Sequence, residues 1–201
     1  MSRRTKDNRF GNQGADFVCP LSYTIWQEDR MKRIARFEKV SYSRFAQDWK
    51  NCFGDSYPEN EIRRIYENLK LPARATRNSA GYDFFAPAGF SFHPGETIRI
   101  PTGVRVYMEP EWVLQCFPRS GLGFKYRLQL DNTVGIVDSD YYWSDNEGHI
   151  FAKLTNCTNE GKTLKLAEGI GFMQGIFVEY GITVDDAVET IRNGGFGSTG
   201  Q

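Results

Sequence analysis

Thr97-Ile98-Arg99-Ile100-Pro101-Thr102-Gly103-Val104-Arg105-Val106-Tyr107-Met108-Glu109-Pro110-Glu111-Trp112-Val113-Leu114-Gln115-Cys116-Phe117 holds three short runs of β-forming residues, cut apart by the turn signals Thr102-Gly103 and Glu109-Pro110. The runs either alternate apolar with polar residues or stay apolar for only a few positions, which is the period and length of strands. Downstream, Ile150-Phe151-Ala152-Lys153-Leu154 and the apolar positions of 170–178 repeat the texture, with Pro94-Gly95 and Asn159-Glu160-Gly161 as further breaks. Many short strands at regular spacing point to an all-β sandwich or small barrel rather than an alternating α/β fold.

Upstream of Pro72 the pattern differs. Tyr42, Phe45, Trp49, Cys52 and Phe53 recur at helical spacing, with Ser41 placed to cap the start and Gly54 suited to a left-handed stop. Ser56-Tyr57-Pro58-Glu59 reads as a capping box for a second helix whose stripe is Ile62, Ile65, Tyr66 and Leu69 and which Leu71-Pro72 ends. The spaced apolar set in 32–40 suits a short strand. The organisation expected is therefore an N-terminal extension over 1–30, with Met31 a possible alternative start, and a β domain over 31–201. That domain carries a helical pair over 41–70 and a flexible glycine-rich arm over 192–201.

Twenty-five basic and 25 acidic residues cancel, so no general electrostatic attraction to nucleic acid or membrane is expected. The four cysteines, Cys19, Cys52, Cys116 and Cys157, form no metal-ligating pair and read as reduced thiols of a cytoplasmic protein. No apolar run reaches the ~18 residues of a membrane span.

Three stretches carry chemistry. Pro118-Arg119-Ser120-Gly121-Leu122-Gly123 follows a strand and offers a guanidinium, a hydroxyl and free backbone amides, the groups that cradle phosphate, although a plain surface turn has the same composition. In Gly135-Ile136-Val137-Asp138-Ser139-Asp140-Tyr141, the two acids lie two apart, so an extended backbone turns both to one face, where they would bind a cation or orient a water; a polar turn is the alternative. Gly194-Gly195-Phe196-Gly197-Ser198-Thr199-Gly200 offers backbone amides for phosphate and a ring for stacking, or is simply a loose tail. Neither a Walker lysine pattern nor a Ser-His-Asp or Cys-His arrangement is present, which argues against P-loop and covalent hydrolases.

In this order the three stretches resemble the second, third and fifth motifs of the trimeric dUTPase family. Ala75-Thr76-Arg77-Asn78-Ser79-Ala80-Gly81-Tyr82-Asp83 is similar to the first motif, and Gly169-Ile170-Gly171-Phe172-Met173-Gln174 to a degenerate fourth. The likeness covers about 72–201, with 31–40 as the family's first strand. It implies a distorted jelly-roll or β-barrel subunit, a homotrimer with shared active sites, and Mg²⁺-assisted hydrolysis of dUTP to dUMP and pyrophosphate. By the same resemblance Asp138 orients the water that attacks the α-phosphorus, and Tyr141 packs under the deoxyribose where a 2′-hydroxyl would not fit. Asn132, Gly135, Ile136 and Val137 read the uracil edge, while Arg119, Ser120, Gly121 and Gln174 hold the phosphate chain. Asp83 touches waters around the Mg²⁺, Arg192 lies near the γ-phosphate, and Phe196, Gly197 and Ser198 close over the nucleotide from a neighbouring subunit.

The chain also departs from the pattern. The fourth motif lacks its Gly-Asp-Arg arginine, Arg192 stands one residue nearer the Gly-Gly-Phe than usual, and six residues, Tyr142-Trp143-Ser144-Asp145-Asn146-Glu147, lengthen the turn between Tyr141 and Gly148. Two other readings share the resemblance: a dCTP deaminase of the same fold, and a nucleotide-sensing regulator that keeps the pocket.

Overall fold

The computed structural model describes residues 31–190 and Arg192, and Ile34 begins the compact unit that holds every element given below. The first expected strand is β1, Ala35–Lys39, paired antiparallel with β6, Val104–Met108. Between them come α1, Tyr42–Phe53, and α2, Glu59–Asn68. Ser41 caps α1, its Oγ accepting from the Arg44 amide, and Gly54 ends the helix at φ 60°. The capping box expected at Ser56 does not form: Pro58 is the N-cap of α2 and makes no side-chain cap, because residues 54–56 are taken up in a 3₁₀ turn. Pro58 instead supplies its carbonyl, which accepts from the Ile62 amide at 3.1 Å.

The remaining strands are β2 (Ala73–Arg74), β3 (Tyr82–Phe85), β4 (Phe90–Phe92), β5 (Thr97–Pro101), β7 (Trp112–Pro118), β8 (Leu128–Leu130), β9 (Gly135–Val137), β10 (Phe151–Asn156), β11 (Leu164–Leu166) and β12 (Gly171–Glu179). They form a five-stranded sheet in the order β2-β3-β12-β7-β9, a three-stranded sheet β5-β10-β8, and the pairs β1-β6 and β4-β11, all antiparallel. This is the expected all-β architecture of a jelly-roll type, with order β3-β12-β7-β9 showing the crossovers that make it one.

The helical pair is part of the core. Phe45, Trp49, Ile62 and Ile65 are fully buried and join one cluster with Phe84, Ile100, Leu114, Leu154 and Phe172 from the sheets. Phe53 stacks on Phe90 of β4 at 5.7 Å between ring centroids. Side chains of this size each contribute about 1.5–3 kcal/mol when fully buried, so the pair adds materially to the barrel it covers. Among the described residues no helix is long and apolar enough to cross a membrane, and Cys52, Cys116 and Cys157 are free thiols.

Candidate active site

Two corrections concern the local shape of the chemistry-bearing stretches. Arg119 is not part of a plain turn: it is the N-cap of a short helix, α3, Ser120–Tyr126, whose C-cap Arg127 is left-handed at φ 49°. Asp138 and Asp140 are not on extended backbone together. β9 ends at Val137, Asp138 caps a 3₁₀ turn over Ser139–Trp143, and Asp140 and Tyr141 lie inside it. The two acids still share a face, since both are paired with one guanidinium.

The candidate residues fall into two groups on the five-stranded sheet. In the first, Asp83 on β3 lies opposite Gln174 on β12, and Arg119 leaves the end of β7 beside them. Arg119 Nε stands 3.3 Å from Asp83 Oδ1, and its amide donates to the Phe172 carbonyl at 3.1 Å. Two glycines make this packing possible. A Cβ on Gly171 would meet Arg119 Nη1 at 2.8 Å, and one on Gly81 would meet Gln174 Oε1 at 2.7 Å. Ser120 and Gly121 open α3 and are exposed. The group is a shallow place with one cation, a carboxylate, an amide and backbone donors.

The second group lies around β9. Asn132 sits in the turn that leads to it, where Thr133 is held at φ 66° with its amide donating to the Leu130 carbonyl at 2.8 Å. A β-branched residue in that conformation stores strain, and such strain clusters where a backbone is shaped for a ligand. Gly135 packs its bare Cα against Cys116, whose Cβ would lie 3.1 Å from an added one. Ile136 is half exposed and Val137 is buried. Beyond them, Arg192 Nη2 donates to Asp138 Oδ2 at 2.6 Å, and Arg192 Nε stands 3.2 Å from Asp140 Oδ1. Arg192, expected near the γ-phosphate, thus pairs with both carboxylates.

Tyr141 is 4% exposed. Its hydroxyl donates to the His149 carbonyl at 2.8 Å and accepts from Asn146 Nδ2 at 2.7 Å. The Arg192 guanidinium lies 5.8 Å from its ring centroid. Burial raises the phenol's pKa, partly opposed by the Asn146 hydrogen bond and Arg192, so the hydroxyl stays protonated and able to donate. Phe196, Gly197 and Ser198 lie outside the described residues.

Strand register separates the two groups. Leu114 on β7 faces Val137 on β9, which puts Asp138 level with Val113. Arg119 is six residues further along, about 20 Å at the rise of a strand. Within a single chain the Asp138 and Arg119 backbones therefore stand well apart along the sheet. Among the described residues, no group of three or more His, Cys, Asp or Glu is placed to hold a metal ion.

A family model described as dUTPase matches residues 67–200. The chain is 41% identical over 145 residues to the deoxyuridine 5′-triphosphate nucleotidohydrolase of Lactococcus lactis, covering 70% of this chain and 95% of that protein. To the enzyme of the same name from Hahella chejuensis it is 39% identical over 144 residues, covering 69% and 91%. Among solved structures, the dUTPase of Streptococcus mutans is 34% identical with a TM-score of 0.54, covering 75% of this chain and 98% of that one. The dUTPase of phage phi11 of S. aureus, in which a structural Mg(II) ion is coordinated, shares the fold at 18% identity and a TM-score of 0.52.

Proposed function

The chain belongs to the dUTPase family, and from that premise we propose how its residues act in a dUTP diphosphatase that converts dUTP to dUMP and pyrophosphate. The observation that carries the assignment is the arrangement of two groups on one sheet, Arg119 and Gln174 beside the Asp83 carboxylate, and a second carboxylate, Asp138, at the end of β9 followed by the buried ring of Tyr141.

Asp138 accepts a hydrogen bond from the attacking water and aims its oxygen at the α-phosphorus. A carboxylate is a weak base at neutral pH, so its contribution is mainly alignment of the water, with removal of the proton as the bond to phosphorus forms and pyrophosphate leaves. Asp138 must first exchange Arg192 for that water. Arg119, with the exposed amides of Ser120 and Gly121, donates to phosphate oxygens, and Gln174 adds its amide beside them. Asn132 and the backbone of Gly135, Ile136 and Val137 meet the uracil edge. The Tyr141 ring lies under the sugar, where a 2′-hydroxyl is excluded by lack of room.

For Mg²⁺, Asp83 and Gln174 would offer adjacent hard oxygen donors, brought close by the packing that Gly81 and Gly171 allow. That suits a hydrated ion carried by the substrate, held through water by Asp83 rather than in a protein cage. Bound there, Mg²⁺ supplies positive charge against the phosphate oxygens.

The ~20 Å between Arg119 and Asp138 of one chain supports a homotrimer in which one subunit's phosphate group faces another's β9 end, so that each site is shared. It also supports treating 31–201 as one domain, since both groups stand on the same sheet and the helical pair is buried in its core. The test is pyrophosphate release from dUTP with Mg²⁺, with UTP, dTTP and dCTP beside it. Release from dUTP at a rate well above the others supports the reading. No release above a protein-free control, or ammonia from dCTP, overturns it.

A further inference from the structure

The helical pair and the loop after Tyr141, the two segments expected to depart from the family pattern, touch each other. The helical pair precedes most of the matched family region, which begins at residue 67, and the lengthened loop follows Tyr141. α1 grips that loop at three points. At its N-terminus, the Ser41 amide and hydroxyl donate to the two Glu147 carboxylate oxygens at 2.7 and 2.6 Å. One turn on, Arg44 Nη2 donates to the Asp145 carbonyl at 3.2 Å. One turn further, Asp48 Oδ2 lies 2.7 Å from Nδ1 of the fully buried His149. His149 Nε2 accepts from the Gly103 amide at 2.8 Å, so in the neutral ring the proton is on Nδ1 and is donated to Asp48.

The loop is shaped by this grip. Glu147 is held at φ 59°, a conformation non-glycine residues rarely adopt, and its side chain is the one that spans to Ser41. At Gly148 a Cβ would stand 2.8 Å from the Tyr141 carbonyl oxygen, so the chain folds back tightly onto the turn that carries the ring. Asn146 and the His149 carbonyl then hold the Tyr141 hydroxyl as donor and acceptor. The three gripped residues, 145, 147 and 149, alternate with or coincide with the two that hold Tyr141. Arg44 also stands 3.6 Å from Asp48, which ties the grip points to each other.

We propose that α1 of the helical pair is a clamp on the loop behind Tyr141, with Ser41, Asp48, Glu147 and His149 as positioning residues that fix the ring under the sugar and so set the preference for dUTP over UTP. The inference rests on the role given to Tyr141 above. It joins the helical pair and the loop in one device: the loop that holds the ring is supported from outside, and α1 provides that support.

The experiment measures kcat and KM with dUTP and with UTP for the full-length protein and its Glu147→Ala, Glu147→Gln, Ser41→Ala and Tyr141→Ala variants. Glu147→Ala removes both acceptors of the Ser41 donors. Hydrogen bonds to a charged group carry enough weight for selectivity, the ratio of kcat/KM values, to fall about tenfold. Glu147→Gln keeps an oxygen acceptor and should restore most of that ratio, which a role in stability alone would not require. Ser41→Ala removes the hydroxyl that both donates to Glu147 and caps α1 and should lower selectivity by about threefold; it also serves if Glu147→Ala does not fold. Tyr141→Ala separates the two layers of argument. If it abolishes selectivity while Glu147→Ala and Ser41→Ala leave it within twofold of wild type, the clamp is wrong and the Tyr141 role stands. If Tyr141→Ala leaves selectivity unchanged, the Tyr141 role fails and the clamp with it.

Discussion

Gly103→Ala is the substitution that best tests whether the helical pair is built into the barrel. Gly103 lies in the turn between β5 and β6, its carbonyl accepts from Val40 at 3.1 Å, and its φ is 74°. A Cβ there would stand 2.3 Å from Leu69 Cδ1, just past the end of α2, and 3.2 Å from Phe45 Cδ2 on α1. Two costs follow. The left-handed backbone costs a non-glycine residue about 1–2 kcal/mol. Forcing a methyl against buried Leu69 and Phe45 adds about 1–3 kcal/mol. The sum, about 2–5 kcal/mol, is a large part of the stability of an ordinary domain. Gly161→Ala is the matched control, because its φ is 69° and nothing lies within 4 Å of the added carbon; it should cost only the backbone part. Urea unfolding at one fixed protein concentration measures both, the concentration being held because an assembly's midpoint depends on it. Pairing Gly103→Ala with Leu69→Ala should recover at least about 1 kcal/mol relative to additivity. Equal costs for Gly103→Ala and Gly161→Ala would refute the packing argument.

Asp138→Asn should cut turnover of dUTP by at least about 100-fold while titration calorimetry with Mg²⁺ still finds nucleotide binding; near-normal turnover would remove Asp138 from the water. Burial lowers the His149 pKa, with Asp48 acting against it, so the unfolded chain takes up this proton more readily than the folded one. The stability this confers is complete above the ordinary value of about 6.5 and is lost as pH falls below it, with a slope of up to about 1.4 kcal/mol per pH unit. Glu38, Asp131 and Glu147 have lowered pKa values, so their contributions fade only in more acid solution, and urea midpoints between pH 7.5 and 5.5 isolate the histidine. A wild-type midpoint that is flat across that range would contradict the buried neutral ring.

Strands of five residues or more could be read from the chain because period and turn signals survive at that length. β1, β5, β6, β7, β10 and β12 all stand where apolar runs predict them. β4, β8 and β11 have only three residues each, too few for a period, and they are strands because a neighbour pairs with them. α3 escaped because Gly121 and Gly123 are poor helix formers and no long apolar stripe marks it. The candidate residues themselves were legible as motifs, whereas the 20 Å offset between Arg119 and Asp138 is a matter of register and has no local signature. His149 carries no sequence signal beyond the turn-like Gly148 before it. A better signal was Asp48, a carboxylate on the buried side of α1 beside Phe45 and Trp49, because an acid on an apolar stripe requires a buried partner.

Arg192 raises the question of whether its clasp on Asp138 and Asp140 locks the site or merely fills it. The side chains of the two acids are 46% and 50% exposed and that of Arg192 is 21% exposed, so water and salt screen the pairs and each contributes at most about 1 kcal/mol. A Mg²⁺-bound triphosphate brings several charge-assisted contacts of greater weight, so the exchange of Arg192 for nucleotide and water runs downhill. Before that exchange, two carboxylates two residues apart would repel the incoming phosphates, and the guanidinium offsets that charge. Two pairs of this strength sum to at most about 2 kcal/mol, which predicts that Arg192→Ala tightens dUTP binding by no more than about thirtyfold, measured with the Asp138→Asn variant as background so that the nucleotide is not consumed. Tightening beyond about a hundredfold would mean that the clasp holds the site shut, and that closing energy would then have to come from contacts other than these exposed ion pairs.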